Sequence, residues 1–172
     1  MSGKYDDVKA LIDGYVHPNN SATGCEAAKA VLLSWFRAIR RKDLDAFRSI
    51  VTDDVVIEIP FSESGRTDQD SYRIYRGVDA VLGFWATAFK AEGVSHGMSE
   101  TDLTISSDGS RIFFEGRGHL TMADGTEYRN RYVMRFDIVD GRVSRCKEYY
   151  NPIQSAFAFG RQIAGQFKLE RL

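Results

Sequence analysis

Glu148 stands in the run Cys146-Lys147-Glu148-Tyr149-Tyr150, and in an extended strand it shares a face with Ser144, Cys146 and Tyr150. A carboxyl group on a covered face is disfavoured in its charged form. Its pKa then rises toward neutrality, and it can both take and return a proton. Such a group suits isomerisation or aldol chemistry next to a carbonyl. The segment before it alternates Tyr128, Asn130, Tyr132, Met134, Phe136 and Ile138 on one face with Arg129, Arg131, Val133, Arg135 and Asp137 on the other. The first face must be the covered one. Tyr132 and Tyr150 are then placed to donate hydrogen bonds to a developing oxyanion, and Asn130 to orient a substrate or the glutamate. The competing reading makes Glu148 a solvated or salt-bridged residue paired with Arg145 or Arg117.

His96 and His119 are further candidates. With an unperturbed pKa near ~6.5, His96 can serve as a general base. His119 alternates with Glu115 and Arg117, so the three form a polar cluster either inside the domain, in contact with substrate, or on an outer face that joins two copies. The outer face is favoured. His17 falls in an N-terminal loop. Three scattered histidines without HxH or HxxxH spacing define no ligand set, so no metal is assigned. Gly-rich phosphate loops and GxSxG elbows are absent, which removes nucleotide and serine-hydrolase readings, and no cofactor is expected.

The elements that must position these groups follow from periodicity. Tyr5, Val8, Leu11, Ile12 and Tyr15 form a weak helical pattern that breaks at Gly14, read as an arm over residues 1–22. Thr23 and Glu26 make a capping box for a helix carrying Ala28, Val31, Leu32, Trp35, Phe36 and Ile39 and ending near Lys42. Asp43 caps a short second helix that buries Phe47, and a strand runs from Val55 to Phe61. After a polar loop, Val78, Val81, Leu82, Trp85 and Phe89 mark a third helix ending before Gly93. Asp-Gly pairs at 108–109, 124–125 and 140–141 then predict three hairpin turns and a four-strand meander, with Gly116 and Gly118 as bend points. Asn151 and Pro152 open a last helix whose apolar spacing continues to Phe167. This order is an α+β layout in which helices cover one face of a curved antiparallel sheet, leaving a cone with an internal pocket. Trp35, Phe61, Trp85, Phe136 and Cys146 are the side chains expected to shape that pocket beside Asn130 and His119.

With 172 residues, one domain is expected. Lys and Arg number 23 against 24 Asp and Glu, so there is no basic balance for nucleic acid or an anionic membrane. No apolar run approaches the ~20 residues of a membrane span, and the N-terminus lacks the order of a signal peptide, which leads to the expectation of a cytoplasmic protein. Cys25 and Cys146, far apart, read as buried small hydrophobes.

The element order and the run from Tyr128 to Pro152 resemble the SnoaL-like branch of the nuclear transport factor two-like, ketosteroid isomerase-like superfamily, whose fold is also called cystatin-like. Glu127 to Gly160, with Asn130, Phe136, Gly141, Glu148, Asn151 and Gln154, is similar to the end of the phenazine biosynthesis A/B proteins, and Gly116-Arg117-Gly118 and Arg76-Gly77 extend the likeness upstream. The resemblance implies a SnoaL-like domain over residues 23–160 followed by a tail at 161–172. It also implies a homodimer joined through the outer sheet face and a pocket for a small cyclic or polyketide-like ligand. Glu148 matches the acid/base glutamate of the phenazine proteins, whereas the pocket histidine of that family has no counterpart in VLGFWATAFK. His96 resembles the histidine of the His-Asp pair in dehydratase-like relatives, whose partner on the first long helix is not evident here. The implied function is a cofactor-independent isomerase, cyclase or dehydratase, with a non-catalytic binding or dimerisation module of the same fold as the alternative.

Overall fold

The computed structural model describes residues 7–15, 22–60 and 72–161. The order is α1 (Asp7–Gly14), α2 (Ala22–Arg41), α3 (Leu44–Ser49), β1 (Val51–Ile59), β2 (Arg73–Arg76), α4 (Val78–Ala91), β3 (Glu92–Ile105), β4 (Arg111–Met122), β5 (Glu127–Val139), β6 (Arg142–Tyr150) and α5 (Pro152–Ala158). Six strands make one sheet in the order β2-β1-β6-β5-β4-β3. The expected α+β architecture, a curved sheet with helices packed on it, is present.

The meander is as expected. Gly109, Gly125 and Gly141 all take positive φ, and Asp140 joins Gly141 in the left-handed region, the backbone that a two-residue hairpin turn demands. Gly116 and Gly118, the expected bend points, lie in continuous register with Tyr132 and Asn130. The register of β4 on β5 runs unbroken, while β3 slips against β4 at three places, between Glu92 and Val94, Ser95 and Gly97, and Ser99 and Asp102. These irregularities in β3 are the kind that bend a strand and raise its twist.

Several boundaries differ from the sequence pattern. β1 begins at Val51 and pairs parallel with β6, so the sheet is mixed rather than wholly antiparallel. The four-residue strand β2, too short to show a period, lies where a loop was expected. α2 starts at Ala22, one residue before the anticipated Thr23 cap, and Glu26 pairs with Lys29 at 2.8 Å. Asp43 does cap α3, accepting from the Ala46 amide at 2.9 Å. α5 stops at Ala158 and Gly160 turns the chain at φ 62°, so the helix does not continue unbroken toward Phe167, which lies outside the described residues. The segment read as an arm contains α1, whose Val8 and Ile12 are buried in the main core, while the Tyr15 hydroxyl accepts from the Ile105 amide at 3.0 Å.

The core sits between the helices and the inner face of the sheet. Trp35 is its hub, with Phe47 at 4.6 Å and Phe136 at 5.2 Å between ring centroids. Cys25 and Cys146 are free thiols buried as expected. On the outer face, buried Glu58 is held by Arg145 at 2.7 Å and Lys147 at 2.8 Å, and Asp137 by Arg111 and Arg135, both at 2.8 Å. These pairs tie neighbouring strands together.

Candidate active site

Between α2, α4 and the sheet lies a cavity of about 1230 Å³, larger than the usual ~300–1,000 Å³ of small-molecule sites. Phe36, Tyr75, Phe84, Trp85 and Met134 give it an apolar wall. Alternation along β5 and β6 is what aims polar groups into it. Met134 pairs with Glu148 and Tyr132 with Tyr150 across the two strands, so the carboxyl and both phenols reach the same side.

Glu148 makes no hydrogen bond or ion pair to a described residue. The arginines considered as its partners are engaged elsewhere, Arg145 with Glu58 and Arg117 with Glu100. Burial pushes its pKa up to about 7, the Arg73 guanidinium pulls against that rise, and the neighbouring Glu92 carboxyl adds to it. Glu92, on the same cavity wall, is also raised by burial and held back by Lys42. Two carboxyl groups and two cations therefore share the polar part of the cavity. Cys146, two residues before Glu148 in β6, is buried outside the wall, and burial and the Glu148 charge push its thiol pKa well up, so it stays protonated.

Two of the phenols are hydrogen-bonded to each other and the third is bonded to Arg73. Tyr150 accepts a hydrogen bond from Arg73, which makes its own O–H a stronger donor. The Tyr132 hydroxyl donates to that of Tyr128 at 3.0 Å. Burial pushes the Tyr132 pKa well above 10, reinforced by Tyr128 and Glu148, so Tyr132 remains a neutral donor. Asn130 is buried but does not line the cavity. Its amide nitrogen donates to Tyr128 Oη and to the Asn151 carbonyl, each at 3.0 Å, and its oxygen accepts from the Asn151 amide at 3.0 Å. It fixes Tyr128 and the start of α5 rather than facing a ligand.

The structure thus gathers Glu148, Tyr132, Tyr150 and Trp85 around one cavity. Trp35, Phe136 and Cys146 lie behind the wall as core, and Phe61 lies outside the described residues, as does His17. His96 does not line the cavity. The bulge at Ser95–Gly97 turns it toward His119, with ring centroids 4.4 Å apart, and its Nε2 lies 2.8 Å from Thr121 Oγ1. His119 borders the cavity, but its Nε2 pairs with Glu127 rather than with Glu115 or Arg117, and these hydrogen bonds lower the Glu127 pKa. Its partners lie on the outer sheet face. His96, His119 and Glu127 place one ligating atom each within 4.8 Å of the others, a grouping that sequence spacing concealed because the three come from three strands. Arg73, Glu92 and Tyr128 were not singled out from the sequence. Tyr128 was on the predicted inner face, and Glu92 ends the apolar stripe of α4, whereas nothing in the sequence marks Arg73.

The fold belongs to a defined class. The SnoaL-like domain family matches residues 32–146, two thirds of the chain, and the protein belongs to that family. Among curated proteins, the uncharacterized protein YesE of Bacillus subtilis (strain 168) is 25% identical over 137 residues, covering 78% of this chain and 88% of its own. An isomerase candidate from Bacillus subtilis superposes with a TM-score of 0.70 at 20% identity, covering 83% of this chain and 99% of its own. A polyketide cyclase candidate from Xanthomonas campestris pv. campestris gives 0.64 at 18% identity over 80% and 99%. A phenazine biosynthesis-related protein from Pseudomonas aeruginosa gives 0.60 at 18% identity over 87% and 96%. These likenesses establish the fold.

Proposed function

We propose that the protein is an acid/base enzyme acting on a small cyclic or polyketide-like compound, with Glu148 moving a proton in an isomerisation, cyclisation or dehydration. One observation carries this reading. Glu148 faces the cavity with no hydrogen bond or ion pair to a described residue, and its pKa of about 7 leaves both protonation states populated at neutral pH. Its carboxylate removes a proton beside a substrate carbonyl and returns it at another position. Tyr150, polarised by Arg73, donates to the oxygen on which charge develops, and Tyr132 joins it when its O–H turns from Tyr128 toward the substrate. Similarity in fold to isomerase and polyketide cyclase candidates supports the class of reaction without choosing among its members.

The test is solvent-deuterium exchange at the α-carbon of a panel of cyclic ketones and β-dicarbonyl compounds, followed by NMR with the wild-type protein and with Glu148→Gln. Exchange by the wild type and its loss in the variant support the reading. Equal rates in the two proteins overturn Glu148 as the base.

The same proposal places a second copy of the chain on the outer sheet face. Phe113, Val133 and Tyr149 are exposed there on adjacent strands, a diagonal of apolar side chains with Val133 paired to both Glu115 and Tyr149.

A further inference from the structure

Charge on the cavity wall is far from the balance of the whole chain. The chain carries 23 basic and 24 acidic side chains, yet the wall carries Lys9, Arg37, Arg40, Arg41, Lys42, Arg73 and Arg161 against Glu92 and Glu148 alone. Arg73 acts electrostatically on Glu148 and Lys42 on Glu92, without an ion pair to either carboxyl among the described residues. Lys9 is paired with Asp13. Arg37 and Arg41 are different, because neither makes an ion pair or hydrogen bond to a described residue, and both are exposed while still lining the cavity, which puts them at its solvent-side rim.

These two arginines stand four residues apart, one turn of α2, where like charges oppose one another. Their place near a helix C-terminus favours Arg41 through the helix dipole, but that effect fades within the last turn and gives little to Arg37. An anion between them relieves the repulsion, and a guanidinium fork matches a carboxylate or sulfonate in two parallel hydrogen bonds. Below the rim, the wall changes to Phe36, Phe84 and Trp85.

We infer that the cavity takes an anionic, ring-bearing ligand whose acidic group is held at the rim by Arg37 and Arg41 while its rings lie against the aromatic wall. This rests on the proposed active site as the place of binding and deepens it by naming the substrate class. A basic rim also draws such ligands from solution and makes their capture dependent on salt.

Two fluorescent probes with one skeleton test this, the anionic 8-anilinonaphthalene-1-sulfonate and the uncharged N-phenyl-1-naphthylamine. In low salt the sulfonate should bind roughly tenfold more tightly than the neutral probe, and added salt should erode the difference. Arg37→Gln/Arg41→Gln should abolish the preference without weakening the neutral probe, and Arg37→Lys/Arg41→Lys should retain most of it. Gly83 lines the cavity and a Cβ there meets nothing within 4 Å, so Gly83→Trp fills the space and should weaken both probes. Equal wild-type affinities, an unchanged preference in the double Gln variant, or unchanged binding in Gly83→Trp each overturn the inference. Glu148→Gln should leave the preference in place, so the proton-transfer reading and the anion inference fail separately.

Discussion

The ring of Tyr132 lies over the backbone of Gly118 so closely that a Cβ at that glycine would stand 2.8 Å from Tyr132 Cε2. Gly118 and Asn130 are register partners, and Tyr132 is two residues further along β5, so the contact is a diagonal one across the inner face of the sheet. Glycine is needed here for close approach, since any side chain at this position meets the ring.

Gly118→Ala should therefore push the Tyr132 ring away from Tyr128 and into the cavity. Overpacking of this kind costs about 1–3 kcal/mol. Chemical denaturation should show the loss, and the exchange rate of an active substrate should fall with it. A variant of wild-type stability and activity would show that the ring moves freely.

Glu148→Gln should change how stability depends on pH. The folded-state pKa of about 7 lies above the ordinary 4.5, so between those values the folded chain holds a proton that the unfolded chain has released. This group's contribution is fully present below pH 4.5 and is lost as pH rises toward 7, with a slope approaching roughly 1.4 kcal/mol per pH unit. The Gln variant lacks this loss. Denaturation midpoints measured from pH 4.5 to 8 should show the variant gaining on the wild type as pH rises. A constant difference between the two would place Glu148 in an ordinary solvated setting. In the wild type, kcat/KM for base-catalysed exchange should rise through pH 7.

Asn130→Ala removes donors to Tyr128 and Asn151 and the acceptor for the Asn151 amide. Leaving buried polar groups unpaired costs roughly 1–3 kcal/mol each, so a total of several kcal/mol is expected. Hydrogen exchange should become faster at the start of α5 before it does in the meander. If protection at Asn151 to Ser155 is unchanged, the side chain does not anchor that helix.

The meander was legible because Asp-Gly turns report local geometry, and the inner face of β5 and β6 because alternation reports a covered side. Glu148, Tyr132 and Tyr150 could be found that way. Alternation does not say how deep a covered residue lies, and so Trp35, Phe136, Cys146 and Asn130 were counted with the pocket although they pack behind it. His96 was displaced by a bulge in β3, which shifts a side chain between faces without changing the sequence pattern. Arg73 bonds Tyr150 and acts electrostatically on Glu148 from an edge strand of four residues, too few to carry a period, across a parallel pairing between β1 and β6 that no local signal specifies. Long-range register placed the strongest cation in the site, and a single sequence carries little of it.

Phe113, Val133 and Tyr149 are 47%, 43% and 37% exposed, and all three sit on the outer face. Isolated exposed hydrophobics need no explanation, but three on adjacent strands of one face, Val133 opposite Tyr149 and diagonal to Phe113, form a patch whose burial is favourable. The charges around it are largely satisfied within the chain, Asp137 holding Arg111 and Arg135 and Glu58 holding Arg145 and Lys147. The result is an apolar strip with neutralised flanks, the kind of surface two copies of one chain can share about a two-fold axis. Val133→Asp puts a charge in the middle of the strip, beside Glu115. Light scattering should give the wild type twice the 19.4 kDa mass of the chain and give the variant the single-chain value, with unchanged far-ultraviolet circular dichroism. A wild-type mass of 19.4 kDa at micromolar concentration, or a variant that stays paired, would remove this face as the dimer contact.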